Sequence, residues 1–357
     1  MKAIPLSLAA QSLRIRVLPF ATGIFLLILF LKPPTGPSGN MAQRTEMKFR
    51  AASAISGALL ADAATMPLHW IYDPQKISNL TRDQDPAFFL TPSCPFYSTA
   101  RFPGHYSLGQ SSPYGEQMAA YVTFLVERNG SWDTMAFHSF YLDFLKHYGG
   151  RLDHASRGFL ESGGKVAPDD AQANAFEKAP LAVALKAAGR ISSVGPLLEK
   201  MIRSTQDNAQ SVKYGLALGR ALEAAVVPGA TLEDCIEALT ADGADHDVRR
   251  HVASAMAAKG LDANEWSASL NGILGCAFPG SFLMPVKIMI DSLDISTSQR
   301  FEWAIRRNIM VGGDQCSRAI FLGSLFAALD PASIPPQWRR AMSGYDEMFE
   351  KATLVAG

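Results

Sequence analysis

The sequence predicts an all-α protein, and three observations support this prediction. Apolar residues recur at helical spacing in one segment after another along most of the chain. Alternating runs of β-branched residues, which are typical of strands, are missing. Breakers such as Pro228-Gly229 separate the helical segments. We therefore expect a tail of residues 1–46 followed by one all-α domain over residues 47–357.

The first predicted helix covers residues 48–66. Ile55, Leu59 and Ala63 share one face at helical spacing, and many of their neighbours are alanine or glycine. Such small residues let other helices approach closely. Pro67 ends the helix, because proline cannot continue a helix from its interior.

An irregular segment rich in proline, glycine and serine is predicted over residues 68–112. Long irregular segments inside compact domains are often functional. Ser112 and Pro113 mark the start of the next helix, as a cap followed by proline at the first position. The remaining predicted helices cover residues 132–147, 176–188, 194–204, 207–227, 231–240, 246–258, 263–275, 281–292, 298–311, 315–329 and 336–352.

The composition favours a folded core and excludes some classes of partner. Hydrophobic residues make up 48% of the chain and charged residues 18%, which argues against disorder. The 33 basic residues balance the 33 acidic ones, and no basic tract interleaves with aromatic residues, so we expect no nucleic-acid partner. The four scattered cysteines fit neither a zinc site nor a disulfide framework, and a reduced compartment is the simpler interpretation.

The N-terminal tail carries an uncharged run at residues 17–31 that follows three basic residues. The run is shorter than the span of about 20 residues that crosses a bilayer, and it resembles the apolar core of a signal peptide. No small-x-small cleavage site follows closely, so a retained membrane tether also fits. These features predict the secretory pathway or a membrane anchor. In the alternative, translation starts at Met41 or Met47 and the protein is cytoplasmic.

A Gly312-Gly313-Asp314 turn opens the predicted helix at 315–329. The two glycines give backbone freedom, and N–H groups at a helix start bind anions and phosphates well. Asp314 falls at the cap position. Taken alone, the turn is best explained by Asp314 capping the helix.

Five motifs, taken in order, change that interpretation. They are SGALLADAATMPLHWIYD at 56–73, YGEQM at 114–118, RSTQDN at 203–208, GGDQCSRAIFLGSLFAAL at 312–329 and IPPQW at 334–338. Together they resemble the ADP-ribosylglycohydrolase family, most closely its branch near the J-type lens crystallins, over about residues 50–340. The resemblance implies a single orthogonal multi-helix bundle. In active members of that family, a cleft holds two magnesium ions and hydrolyses the bond between ribose and a protein side chain.

The family's metal site uses a Thr-Asp-Asp-Thr run at an early helix start and an Asp-x-Asp-Thr run in a late glycine-rich turn. The late run matches Asp314, a cysteine at 316 and Ser317, so one aspartate is kept and the hydroxyl is retained. The early run falls on residues 114–117 or one residue earlier. In the first register Glu116 replaces the second aspartate, and in the other no carboxylate takes an aspartate's place.

These replacements leave few ligands for magnesium. Magnesium requires oxygen ligands in near-octahedral geometry, and the soft thiol of Cys316 is a poor partner. The resemblance leaves Asp314, Ser317 and Glu116 as candidate ligands, so we expect one weakly held Mg²⁺ ion or none. Glycosidic bonds can also be hydrolysed by two carboxylates without metal, and Asp314 and Glu116 are the candidate catalytic pair.

Further residues are candidates for supporting roles. Gly312, Gly313, Tyr114, Gln117 and His69 are predicted to contact the substrate. Asp62 is unfavourable in the middle of a helix, so it is expected to form buried hydrogen bonds behind the site or to a neighbouring helix end. Cys316 lies near a helix N-terminus, where a lowered thiol pKa would make it a nucleophile, but no histidine is adjacent in sequence.

Two functions follow. In the first, the protein is a hydrolase that cleaves a glycosidic bond of ADP-ribose or a related group, in a small molecule or an ADP-ribosylated protein. In the second, it is a catalytically inactive, crystallin-like bundle with a structural or ligand-binding role. The lost aspartates favour the second function, and the retained glycine-rich turn favours the first.

Overall fold

Sixteen α-helices and several short 3-10 helices make up the described chain, which contains no β-strand. The structure is a computed structural model that describes residues 37–166, 171–270 and 274–357, with side chains from residue 41. The all-α prediction is confirmed. Within the described part, Gln43–Gly357 form one compact unit. The apolar run at residues 17–31 lies outside the described residues, so the tether stays a prediction.

Most helices lie within the predicted segments, but the first begins at Pro37 rather than at residue 48, and the one predicted over 263–275 ends at Ser269. Two short helices, at Pro74–Leu80 and His154–Glu161, were not predicted, and the segment predicted as one helix over 336–352 is two helices. Gly344 separates them, because it adopts a left-handed φ of 72°. The helices are α1 Pro37–Thr65, α2 Pro74–Leu80, α3 Pro113–Glu127, α4 Thr134–His147, α5 His154–Glu161, α6 Ala179–Ala187, α7 Val194–Arg203, α8 Ala209–Ala225, α9 Leu232–Leu239, α10 His246–Ala257, α11 Ala263–Ser269, α12 Gly280–Asp291, α13 Arg300–Val311, α14 Gln315–Leu329, α15 Pro336–Ala341 and α16 Tyr345–Ala356.

The helices α1 and α14 cross in direct backbone contact at the centre of the core. Every residue of α14 before Leu329 is buried. A Cβ atom added at Gly57 would lie 2.3 Å from the Cβ of Ala327, and one added at Gly323 would lie 2.3 Å from the carbonyl oxygen of Gly57. Only glycine fits at this crossing, and the crossing brings the end of α1 close to the start of α14.

The helical segment Met41–Leu68 is long and apolar enough to cross a membrane by length and composition alone. Its most apolar window is entirely buried inside the protein. The central helix of a helical bundle has the same composition, because it is surrounded by other helices on all sides.

A buried acid–base pair lies at the start of α6. Glu177 and Lys178 are both buried, and the Glu177 Oε2 atom lies 3.5 Å from the Lys178 Nζ atom. Burial raises the pKa of Glu177 to about 8, the Lys178 charge opposes this, and the nearby carboxylates of Asp153 and Asp62 add to it. Glu177 therefore binds its proton more tightly in the folded protein than in the unfolded chain.

We expect this group to make the fold less stable as pH rises. Because the pKa of Glu177 is raised from 4.5 to about 8, its contribution is complete below about pH 4.5 and is lost as pH rises through about 8. The slope is up to roughly 1.4 kcal/mol per pH unit. Urea unfolding across this range should show a shallower slope for Glu177→Gln than for the wild type. The exposed Glu347→Gln is the control, and equal slopes for the wild type and Glu177→Gln would contradict the assignment.

Candidate functional site

The turn after α1 and the turn before α14 are bound together by one glutamine. Gln315 accepts a hydrogen bond from the Trp70 backbone N–H at 3.0 Å and donates one to the Leu68 carbonyl at 3.0 Å. The same Trp70 N–H lies 3.0 Å from the Gly313 carbonyl oxygen. Gln315 occupies the unspecified position of the late motif, and its role here is to join the two turns.

The two glycines shape the second turn. Gly312 and Gly313 have φ values of 84° and 81°, and a Cβ atom at Gly313 would lie 2.3 Å from the Leu274 carbonyl oxygen. Their N–H groups donate to the carbonyls of Ile309 and Ile71. The sequence suggested free N–H groups for a substrate, but these groups are already engaged, and the glycines are needed for backbone conformation and close approach.

Asp314 faces His69 in the interior. Both side chains are fully buried, and the Asp314 Oδ1 atom lies 3.4 Å from the His69 Nε2 atom. Asp314 makes no side-chain cap bond to α14, and its Oδ2 atom instead accepts a hydrogen bond from the Ser317 hydroxyl at 2.5 Å. The His69 Nδ1 atom accepts from the Cys316 N–H at 3.2 Å, so the neutral ring carries its proton on Nε2. Capping is therefore not the role of Asp314.

Burial and two arginines determine the charges of this pair. Burial raises the pKa of Asp314, while the Ser317 hydrogen bond and the Arg318 charge oppose the rise. Burial holds the pKa of His69 well below its usual range, and the positive charges of Arg151 and Arg318 lower it further. His69 is therefore neutral at neutral pH.

Arg318 places a permanent positive charge one helical turn after Asp314. Its guanidinium is fully buried and donates to the Asn308 side-chain oxygen at 2.9 Å, to the Leu274 carbonyl at 3.2 Å and to the Gly312 carbonyl. All three acceptors are neutral. Burial lowers the pKa of Arg318 to about 10, so the group remains charged at neutral pH, with Asp314 as the main opposing charge.

The Asp62 carboxylate is hydrogen-bonded to the residue that caps the start of α3, so its role is structural. Its carboxylate accepts hydrogen bonds from the Ser112 N–H at 2.7 Å and from the Ser112 hydroxyl. A Cβ atom at Gly115 would lie 2.2 Å from the Asp62 Oδ2 atom. Gly115 falls on an aspartate position of the early motif in either register, so the Asp62 carboxylate blocks the space that a side chain there would need. Burial raises the pKa of Asp62 to about 7.

Neighbouring residues of α3 contact different parts of the protein. The Tyr114 ring packs edge-on against His69, with ring centroids 5.9 Å apart. Glu116 instead accepts hydrogen bonds from the Tyr148 hydroxyl and from His105, whose Nε2 atom is 3.1 Å away. Residues two apart on a helix do not share a face, which explains the separation. Glu116 therefore belongs to a second cluster, separate from the Asp314–His69 pair.

Gln117 and Cys316 are engaged elsewhere. Gln117 donates to the buried carboxylate of Asp153 and accepts from the Asn174 amide. The Cys316 thiol lies 3.8 Å from the Asp62 carbonyl oxygen, and burial raises its pKa well above the usual range. A protonated, inaccessible thiol does not support the nucleophile hypothesis.

The residues around Asp314 do not fit a magnesium ion. Among the residues that the structure describes, no group of three or more histidine, cysteine or acidic side chains is arranged to hold a metal. Asp314 contributes one carboxylate, the Ser317 hydroxyl is hydrogen-bonded to it, and the His69 Nε2–H is a donor. The buried Arg318 cation adds repulsion for a dication. Magnesium needs several oxygen ligands, so this set does not suffice.

A cleft of about 400 Å³ lies next to this pair. Leu274, one of its lining residues, accepts hydrogen bonds from the Asp314 N–H and from Arg318. The Asn264 Oδ1 atom is buried there without a hydrogen-bond partner in the described part of the chain. The cleft is lined by Tyr72, Pro74, Asn264, Ser267, Ala268, Leu274 and Gly275.

Sequence reasoning missed three residues of this region. Gln315 and Arg318 lie within the late motif but hold none of its metal-ligand positions, and Arg151 lies in no motif. The signal for Arg318 was available, since it is the one charged residue in an otherwise apolar or small helix over 316–329. Charged residues are almost never fully buried without a specific partner.

Comparison with known proteins agrees with this architecture. The chain is 25% identical over 335 residues to crystallin J1A of Tripedalia cystophora, covering 87% of this chain and 97% of the relative, and crystallin J1B of the same organism matches to the same extent. A solved structure titled ADP-ribosylglycohydrolase-related protein complex aligns with a TM-score of 0.61 at 18% identity, over 87% of this chain and 98% of that one. The sequence model of the ADP-ribosylglycohydrolase family matches residues 43–356, and the chain belongs to that family.

Proposed function

We propose that this protein is a non-hydrolytic member of the ADP-ribosylglycohydrolase family that binds a small ligand in the cleft beside Asp314 without magnesium. The observation that carries the proposal is the buried Arg318 guanidinium, a fixed cation one turn from the remaining aspartate. It offsets the Asp314 charge in place of a metal ion. The similarity to J-type crystallins is compatible with such a role.

The burial of the Asp314–His69 pair also supports a non-hydrolytic role. The Asp314 Oδ1 and His69 Nε2 atoms are both buried and lie 3.4 Å apart. A base that activates water must lie within hydrogen-bond reach of that water. A fully buried carboxylate that faces His69 and the Ser317 hydroxyl has no such access and instead stabilises the junction of α1 and α14.

Metal-free hydrolysis is the second candidate function. One property of the Asp314–His69 pair favours it, namely the orientation of the Asp314 carboxylate relative to His69. The Asp314 Oδ1 atom has free acceptor capacity, and His69 is held with Nε2–H towards it. If the cleft opened, water could donate a proton to Asp314 and attack the ribose carbon, while the leaving group would take its proton from solvent. This mechanism requires motion at the site.

Activity and binding assays distinguish the two candidates. We expect no hydrolysis of mono-ADP-ribosylated protein above the buffer blank, in Mg²⁺ or in EDTA. ADP-ribose should raise the Tm, because a ligand that binds only the folded state stabilises it. Its affinity should change by less than about twofold between Mg²⁺ and EDTA. Turnover that Asp314→Asn abolishes would replace the first proposal with the second, and binding that requires Mg²⁺ would contradict both.

A further inference from the structure

We propose that Arg151 is the receptor for an anionic group of the ligand, either a phosphate or a carboxylate, which binds over the ring of Trp70. This inference rests on the proposed ligand-binding function. It adds a specificity-determining residue that belongs to none of the family-like motifs.

The first support is an aromatic platform under the guanidinium. The Arg151 Cζ atom lies 4.4 Å from the centroid of the Trp70 ring and 5.9 Å from that of Phe96. Trp70 has a φ of 65°, a left-handed conformation that costs a non-glycine residue about 1–3 kcal/mol. The bonds from its N–H to Gly313 and Gln315 hold it there. Strain of this kind persists where the surroundings fix the position of a side chain.

The second support is the loop that carries Arg151. The Arg151 N–H donates to the Tyr106 hydroxyl at 2.9 Å, and that hydroxyl lies 3.1 Å from the Tyr148 hydroxyl, which donates to Glu116. A Cβ atom at Gly150 would lie 2.4 Å from each of the two hydroxyl oxygens. The two hydroxyl groups can approach the loop because Gly150 has no side chain, and their hydrogen bonds connect the loop to Glu116. Glu116 therefore acts as a positioning residue for Arg151.

The third support is an unpaired cation. The Arg151 Nη1 atom is buried, and within the described ranges it has no hydrogen-bond partner and the guanidinium has no carboxylate in ion-pair contact. Arg306 provides the contrast, because it lies 5.2 Å from the Trp338 ring and pairs with Asp85 and Glu302. Arg151 has the same stacking without the acid. The planar guanidinium fork suits bidentate contact with phosphate or carboxylate.

The Arg151 charge acts on Tyr72, one of the residues that line the cleft. The Arg151 charge influences His69, Tyr114 and Tyr72, so it acts on the same region as Asp314. His69 is neutral there, so Arg151 and Arg318 are the cations that act on this region, and the carboxylates of Asp314 and Asp153 oppose them.

Isothermal titration with four probes tests the proposal. The probes are ADP-ribose, inorganic pyrophosphate, succinate and uncharged adenosine, which distinguish nucleotide, phosphate and carboxylate sources of the anion. We expect at least one anionic probe to bind the wild type. Arg151→Gln should weaken that binding by about 10- to 100-fold, the range for a lost charge-assisted contact. Arg128→Gln is the matched control, because Arg128 also stacks on an aromatic ring, at 5.7 Å from Phe124.

The outcomes are separable from those of the hydrolysis assay. Adenosine affinity should be equal in the wild type and in Arg151→Gln. The inference is overturned if no anionic probe binds the wild type, or if Arg151→Gln leaves every anion affinity within about twofold. If Arg151→Gln fails to fold, Arg151→Lys replaces it, with an expected loss of about tenfold because lysine keeps the charge but lacks the fork. Undiminished binding in Arg151→Lys then overturns the inference.

Discussion

Replacing Gly57 with alanine is expected to destabilise the fold by about 3 kcal/mol or more, the upper part of the range for an overpacked core. The added Cβ atom would lie 2.3 Å from the Cβ of Ala327 and 2.7 Å from the carbonyl oxygen of Gly323. Neither atom is the end of a flexible side chain, so α1 and α14 must move apart. Alanine raises helix propensity by about 1 kcal/mol, which is too little to offset this.

Gly158 offers a matched control for this variant. It lies inside α5, and a Cβ atom there would meet nothing within 4 Å. Gly158→Ala is expected to stabilise the protein by up to about 1 kcal/mol. Urea denaturation of both variants gives the two free energies of unfolding. If Gly57→Ala were as stable as Gly158→Ala, the close crossing of α1 and α14 would be wrong.

Replacing Arg318 with methionine is expected to cost about 4 kcal/mol, because three buried acceptors each lose a charged donor at roughly 1–3 kcal/mol apiece. The Asn308 side-chain oxygen and the carbonyls of Leu274 and Gly312 would lose their donor. Asp314 would lose the cation that offsets its charge. Methionine keeps the length of the side chain, so the loss reports on charge and hydrogen bonds more than on volume.

Two further variants test that explanation. Arg220→Met is the control, because Arg220 is only half-buried and donates to the carbonyls of Ala238 and Leu239. Its loss is expected to cost about 1 kcal/mol. Combining Arg318→Met with Asp314→Asn should recover part of the larger loss, because the second change removes the uncompensated negative charge. Strictly additive free energies of unfolding in that double-mutant cycle would show that the two charges are not coupled.

Helical spacing and breakers were enough to predict most of the fold. Glycine and proline pairs mark the ends of helices whose apolar stripe extends over three or more turns. The helix α2 escaped prediction because its seven residues are too few to show a period, and it follows a cap at Asp73 and proline at its first position. The break in the last segment depends on the left-handed backbone of Gly344, a conformation that a single glycine permits but does not require.

The candidate site was predictable only in part. The late motif contains Asp314 and Ser317, and the structure places both beside His69 at the junction of α1 and α14. The directions in which Tyr114 and Glu116 point depend on the rotation of α3 against its neighbours, which is a tertiary property. Arg151 and Arg318 are ordinary basic residues in the sequence, and their significance comes from burial and from the acceptors that the fold does or does not provide.

The position of Asp62 also limits how this protein could be converted into a metal enzyme. Its carboxylate lies against Gly115, and its carbonyl oxygen faces the Cys316 thiol, so it adjoins two positions where the family places aspartates. An acidic side chain introduced at either position would collide with an oxygen of Asp62 or be repelled by it. An acidic residue at 115 therefore requires a change of the Asp62 side chain as well, whereas at 316 the obstacle is a backbone carbonyl oxygen, which no substitution at residue 62 removes.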